Sequence, residues 1–255
     1  MNTDLHKKDV ADLQVGQHLS IQTVLDYQAL SGSNLFHQLD RASVLSILSK
    51  LRRDRWSRGY VYSFSNNFSP RFFIVIKGRV KVCGHHTNSG RELTLFLHGP
   101  GEGFNVLNLI DGGLSGLSIH ALEEVELLSA PVETWIEWLD QYPVLRSSMA
   151  EVAAKQIKQL TEFACELALD DTMTRLIHLL LKYFNDDSQS GVNLIQDLSQ
   201  EELANMIGTV RPVVARLLGE LKRDGLIDTQ GGVIHVSDLN RLLARVENHL
   251  VNPEK

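Results

Sequence analysis

The apolar positions of this chain change period twice. Over residues 35–53 they recur at helical steps (Leu35, Phe36, Leu39, Val44, Leu45, Leu48, Leu51), which predicts helix there, with Asp40 placed to cap the second part of the segment. From Trp56 to about Ala130 the period falls to that of strands. Short apolar or alternating runs at 60–62, 72–76, 79–82, 91–97, 119–122 and 125–128 are separated by turn residues such as Lys77-Gly78 and Gly99-Pro100-Gly101. Many short strands at regular spacing predict an all-β sandwich or barrel-like domain. The residues before Leu35 are mixed and polar, and predict an N-terminal extension with at most a short helix near 21–29.

Beyond residue 130 the helical period returns. A short helix over 131–138 is broken at Tyr142-Pro143, and a long helix follows from 144 to 170. Met149, Val152, Gln156, Leu160, Phe163 and Leu167 fall on it at steps of 3, 4, 4, 3 and 4. A heptad-like stripe on one long helix predicts a seam with a second copy of the chain, or packing on the chain's own β-domain. Asp170-Asp171-Thr172 marks a hinge, and residues 173–184 form an apolar helix that starts a second domain.

The stretch from Leu198 to Val236 is the most specific part of the pattern. Ser199 with Glu202 three residues on makes a capping box, and Leu203, Met206 and Ile207 supply an apolar face. Gly208 can end that helix in a left-handed conformation. Thr209 can cap a second helix, with Pro212 in its first turn and Val213, Val214, Leu217, Leu218 and Leu221 on its buried side. Two short helices around a tight turn, then two strands about Gly231-Gly232, predict a winged helix-turn-helix whose second helix enters the DNA major groove. Ser237-Asp238 caps a last helix over 239–250. The rival reading is a ligand-binding or protein-interaction module without sequence-specific DNA binding.

Composition narrows the classes more than it selects one. The net charge of −6 gives no global support for nucleic-acid binding, and residues 172–255 alone hold nine Lys/Arg against eleven Asp/Glu. Positive charge must therefore be concentrated on one helix face, with salt-sensitive affinity. No apolar run approaches the roughly 18 residues of a membrane helix, and the N-terminus lacks the apolar core of a signal peptide, so a cytoplasmic protein is expected. Cys83, at a strand end, and Cys165, on the long helix, are read as buried inert thiols or, alternatively, as redox-active ones. His85, His86, His98 and His120 fix no ligand geometry, so no metal site is expected. With no nucleophile–base set and no phosphate loop, no enzyme is expected.

The order of these parts resembles the CRP/FNR bacterial transcription regulators over about residues 35–236. The segments that carry the resemblance are 72–82, 90–104, 125–131, Asp171 with Arg175, and 198–218; residues 104–110 and 125–131 are closest in pattern to the NtcA-like branch. The resemblance implies an α+β fold: an N-terminal double-stranded β-roll of the cyclic-nucleotide-binding kind, a long dimerisation helix and a C-terminal winged helix-turn-helix. The divisions fall at 1–34, 35–142, 143–171 and 172–255. It implies a homodimer on a palindromic double-stranded DNA site, working with RNA polymerase and with no membrane.

The family's recognition helix opens with Arg-Glu-x-x-x-Arg, and the matching positions are Arg211, Pro212 and Arg216. Arginine can read guanine O6 and N7 with paired hydrogen bonds, whereas Pro212 cannot accept from cytosine as the Glu would. Ser199, Thr209 and Val210 complete the expected DNA-facing set. On the sensor side, the cyclic-nucleotide branch needs Gly-Glu and Arg-Ser pairs where this chain has Asn105-Val106 and Gly116-Leu117. Leu117 also stands where NtcA-like proteins carry an Arg for 2-oxoglutarate. Asn105 and Leu107 replace the Cys and His of the heme-based CO sensors, and two cysteines cannot hold an iron–sulfur cluster. No cofactor is expected, and the effector is unknown. Its expected pocket is apolar, lined by Phe104, Val106, Leu107, Leu117 and Leu160, with Asn105, Ser118, Gln156 and Thr161 as polar anchors; a filled core without effector is the alternative.

Overall fold

The computed structural model describes residues 20–63, 70–86, 88–106, 117–184, 194–195, 197–230 and 233–251. Among the described residues, two helices come first, α1 (Ile21–Ser31) and α2 (Arg41–Leu48). Eight strands follow: β1 (Arg52–Trp56), β2 (Val61–Ser63), β3 (Arg71–Lys77), β4 (Val80–His85), β5 (Glu92–His98), β6 (Gly103–Phe104), β7 (Leu117–Ala121) and β8 (Val125–Pro131). Then come α3 (Val132–Gln141), the long α4 (Pro143–Leu169), α5 (Thr172–Phe184), α6 (Gln200–Met206), α7 (Arg211–Arg223), β9 (Ile227–Gln230), β10 (Val233–Val236) and α8 (Leu239–Val251).

The eight strands form two antiparallel four-stranded sheets, ordered β1-β8-β3-β6 and β2-β7-β4-β5. Their inner faces meet in a core of Trp56, Phe73, Val75, Val82, Phe104, Ile119 and Leu127, with Phe73 and Phe104 stacked at 5.2 Å. The outer face of the first sheet is equally apolar. Phe72, Ile74, Leu128 and Ala130 lie under Leu30, Trp135, Trp138 and Met149 from the surrounding helices and Phe36 from the turn between α1 and α2.

The short helix expected near 21–29 is α1, and it packs onto the roll: Val24 and Leu30 are buried, and Arg53 donates hydrogen bonds to both Asp26 of α1 and Glu126 of β8. One expectation is corrected here. The helical reading of 35–53 runs two residues too far, because Arg52 and Arg53 open a strand; β1 pairs with β8 from Arg52↔Ser129 to Trp56↔Val125. The helix of this region is only α2, capped as expected by Asp40, whose carboxylate accepts from Ser43 N at 3.0 Å.

The C-terminal part has its own core of Leu176, Ile177, Leu180, Leu203, Val214, Leu217, Leu221, Leu226 and Leu242. Asp171 caps α5 by accepting from Thr174 N at 2.8 Å. Arg175 reaches back to the Leu167 carbonyl at 3.2 Å, tying α5 to the end of α4.

Candidate nucleic-acid interface

Local signals build the reading head as the chain predicts. Ser199 Oγ accepts from Glu202 N (3.2 Å) while Ser199 N donates to Glu202 Oε2 (2.7 Å), closing the capping box of α6. Gly208 has φ +67°, and Thr209 N returns to the Ala204 carbonyl at 2.9 Å, so the helix stops where a residue without Cβ is needed. The expected Thr209 cap is not formed. Val210 occupies the cap position of α7 and makes no side-chain cap bond, because the extended turn puts Thr209 one residue too early.

On α7, Val214, Leu217, Leu218 and Leu221 face the core. Arg211, Pro212, Ala215, Arg216, Gly219, Lys222 and Arg223 are exposed along the opposite side. Glu220 is engaged by Arg245 at 2.9 Å, and Lys222 by Asp228 (3.1 Å) and the Thr229 hydroxyl (2.9 Å). Among the described residues, Arg211, Arg216 and Arg223 make no ion pair or hydrogen bond. The exposed face thus carries free cations in a region whose overall charge is negative. β9 and β10 pair from Ile227↔Val236 to Gln230↔Val233; the Gly231-Gly232 turn lies outside the described residues.

This reading head rests on the outer face of the second sheet. Arg79, 6% exposed and just before β4, donates to the Leu194 carbonyl (3.0 Å), to Asp197 (2.7 Å) and to Glu123 in the turn between β7 and β8 (2.7 Å). Asn205 of α6 donates to Glu92 Oε1 at 3.3 Å, and Leu97 joins the C-terminal core. A Cβ on Gly208 would sit 2.7 Å from Leu167 Cδ2, so the turn itself bears on the end of α4.

The rest of that face is polar. Lys81 Nζ lies 2.6 Å from Glu92 Oε1, His120 Nε2 is 3.9 Å from Glu92 Oε2, and Ser118 Oγ is 2.5 Å from His85 Nε2 and 2.7 Å from His120 Nε2. Burial opposes the charge on Glu92, but the Lys81 ammonium outweighs it and holds the carboxyl below its ordinary range. Burial lowers His120 and pushes the Cys83 thiol up to about 12.

The structure does not bring the expected effector residues into one pocket. Phe104 and Val106 are buried, the first between the sheets and the second beneath the helices. Leu117 packs toward the inter-sheet core, so the alternation of β7 turns Ser118 outward to His85 and His120. Asn105 has φ +78° and spends its side-chain amide on the Arg71 carbonyl at 2.6 Å; it shapes the chain rather than anchoring a ligand. Thr161 is exposed and donates to the Ile157 carbonyl. Leu107 lies outside the described residues. Gln156 instead lines a cavity of about 150 Å³ between the roll, α4 and the C-terminal helices, with His98, Glu102, Glu166, Arg175 and His178. Burial raises the Glu166 carboxyl there.

The seam residues of α4 also divide. Met149 is buried in the protomer's own core and Val152 packs against it, while Gln156 and Phe163 line the cavity. Leu160 and Leu167 are half-buried. The stripe left open is Ala150, Ala154, Ile157, Thr161, Ala164 and Ala168, at steps of 4, 3, 4, 3 and 4, with Ile157 65% exposed. Sequence reasoning passed over it because alanine carries little hydrophobic signal beside Met149 and Phe163.

Comparison with known proteins gives two domain matches. The cyclic nucleotide-binding domain family matches residues 58–142, and the Crp-like helix-turn-helix domain family residues 174–245. A global nitrogen regulator of Synechococcus elongatus is 31% identical over 182 residues, 69% of this chain and 82% of that protein. A CRP-like cAMP-activated global transcriptional regulator of Mycobacterium tuberculosis is 24% identical over 221 residues, 86% of this chain and 98% of the relative. Among solved structures, the c-di-GMP responsive global regulator CLP of Xanthomonas campestris matches with a TM-score of 0.66 at 20% identity, over 78% of this chain and 100% of that one. A CooA mutant from Carboxydothermus hydrogenoformans matches at 0.65 and 22% identity, over 79% and 90%. These two likenesses concern the fold.

Proposed function

The chain belongs to the CRP/FNR family of transcription regulators, and from that premise we propose a homodimer that reads a palindromic DNA site and does not take a cyclic nucleotide. The observation that carries the DNA reading is the exposed face of α7, where Arg211, Arg216 and Arg223 stand unpaired on a capped, rigidly packed helix-turn-helix. Arg211 and Arg216 contact base edges, guanine first, each good pair of hydrogen bonds giving about 1–3 kcal/mol of discrimination. Pro212 leaves the neighbouring base unread. Thr209 and Val210 lie toward the backbone or a thymine methyl, and Ser199, whose hydroxyl oxygen already accepts the Glu202 N–H, orients α6.

Dimerisation runs along α4. The open stripe centred on Ile157, flanked by Leu160 and Leu167, supports a parallel pairing of two copies, each copy placing one α7 about one DNA turn from the other. The roll is the sensor, the helix the connector and residues 172–255 the reader. Against a cyclic nucleotide stands the lack of a phosphate cation: Leu117 is turned into the apolar core and Asn105 is committed to Arg71. Bound beside a promoter, the dimer acts on RNA polymerase in the cytoplasm, binding rather than catalysing. Among the described residues no helix is long and apolar enough to cross a membrane.

Selection of bound sequences from random duplexes tests this reading. Symmetric half-sites with a fixed guanine and a free neighbouring base are expected, and Arg211→Ala should lose the guanine preference. A half-site fixed at that neighbouring base, or unchanged selection by Arg211→Ala, overturns the proposed readout. Ile157→Glu should sediment as a monomer.

A further inference from the structure

Three strands of the second sheet bring a thiol, a carboxylate and an imidazole together on its outer face. One ligand atom each from Cys83, Glu92 and His120 lies within 4.8 Å of the other two. The convergence follows from register: β4 is paired on both sides, with Cys83 opposite Thr94 of β5 and Ser118 of β7, Lys81 opposite His120, and His85 opposite Glu92. We propose that Cys83, Glu92 and His120 form a binding site for a borderline-soft divalent cation of the zinc class, and that filling it loosens the reading head from the roll.

The donor set decides the class. Sulfur, nitrogen and oxygen donors suit Zn²⁺ or Co²⁺, whereas Mg²⁺ and Ca²⁺ take oxygen ligands. Ligand atoms around a tetrahedral Zn²⁺ stand about 3.3–3.8 Å apart, so the three need to close by roughly 1 Å. All three are held on paired strands, Cys83 on β4 between Glu92 of β5 and His120 of β7, and their side chains are mostly shielded, so little ordering remains to be done. Cys83 gives up its proton to solvent on binding, as thiol ligands do. His85, whose ring stacks on His120 at 5.6 Å, is next in line for the fourth position.

The coupling follows from Glu92. Its Oε1 holds both Lys81 and Asn205 of α6, so the same carboxylate serves the sheet and the docked reader. A cation on Glu92 competes with both. The free energy is reciprocal: whatever the cation takes from Asn205, Asn205 takes from the affinity for the cation.

Cobalt titration of the full chain tests the proposal without any DNA, so its outcome is independent of the DNA reading. The expected result is one Co²⁺ per chain with a near-ultraviolet thiolate-to-cobalt band, abolished in Cys83→Ser, weakened at least tenfold in His120→Ala and retained in Cys165→Ser. No band in the parent protein, or a band that survives Cys83→Ser, overturns the site. His120 is only partly buried, so His120→Ala keeps the test valid should Cys83→Ser fold poorly. Asn205→Ala should tighten cobalt binding by about two- to tenfold, the worth of one hydrogen bond. Unchanged affinity in that variant overturns the coupling.

Discussion

The two sheets of the roll turn very different outer faces to the rest of the molecule. The first offers Phe72, Ile74, Leu128 and Ala130, and segments from both sides in sequence close over it with Leu30, Phe36, Trp135 and Trp138. The second offers Lys81, Glu92, Ser118 and His120, and the reading head meets it through Arg79, Asn205 and Leu97. Apolar burial is non-directional and is lost only when the structure opens. A contact made of a few directed polar bonds can be exchanged for bonds to water or to an ion at little net cost. One face therefore builds the domain, and the other is suited to let a domain go.

The contrast can be broken by substitution. Trp135→Ala removes the ring packed on Phe72 at 4.7 Å and should lower stability by about 3–5 kcal/mol, read in thermal unfolding of the whole roll. Arg79→Ala should cost on the order of 1–3 kcal/mol of docking, seen as faster proteolysis at the 170–171 hinge with the roll's melting little changed. If Arg79→Ala instead melts the roll as Trp135→Ala does, the two faces are alike and the distinction fails. Gly208→Ala forces a side chain into a left-handed position against Leu167; a loss of about 1–2 kcal/mol is expected, and a chemical-denaturation midpoint equal to the parent's would show that the turn does not bear on α4.

Smaller effects sharpen the same picture. Ser199→Ala should cost about 1 kcal/mol and act within the reader alone, since the cap is internal to α6. The Asp197 contact should also respond to acid. Its bond from Arg79 lowers the carboxyl below the ordinary 3.8, so its contribution to docking is complete above that value and fades as pH falls through the depressed one. Asp197 is largely exposed, so this is the faintest signal, visible as hinge proteolysis rising in mildly destabilised variants before the roll itself unfolds.

How much of this is legible in the sequence depends on the distance over which each signal acts. The capping box, Gly208 and the apolar spacing of α7 sit within a few residues of one another, and the reading head is accordingly readable. The strands rich in Phe, Val and Leu are readable for the same reason. β1 is not: RRDRW holds one core residue, Trp56, and is a strand because β8 lies beside it. The side to which Ser118 turns depends on register, and the bond from Asn205 to Glu92 joins residues 113 apart, so neither leaves a local trace. The open stripe of α4 is hidden for a further reason. Met149 and Val152 of that helix serve its own roll, and Ile157 apart, the stripe left outside is alanine and threonine.

Pro212 has a consequence on a larger scale than the complex itself. On the proposed readout, a residue with no acceptor at that place leaves one letter of each half-site unspecified. Over a two-fold symmetric target, that multiplies the chance matches in a genome by about sixteen at equal affinity. Such a protein must recover its selectivity elsewhere, from copy number, from neighbouring proteins on the promoter or from the flexibility of the intervening base steps. In the last case the address would be written partly in the deformability of DNA and not in its letters alone.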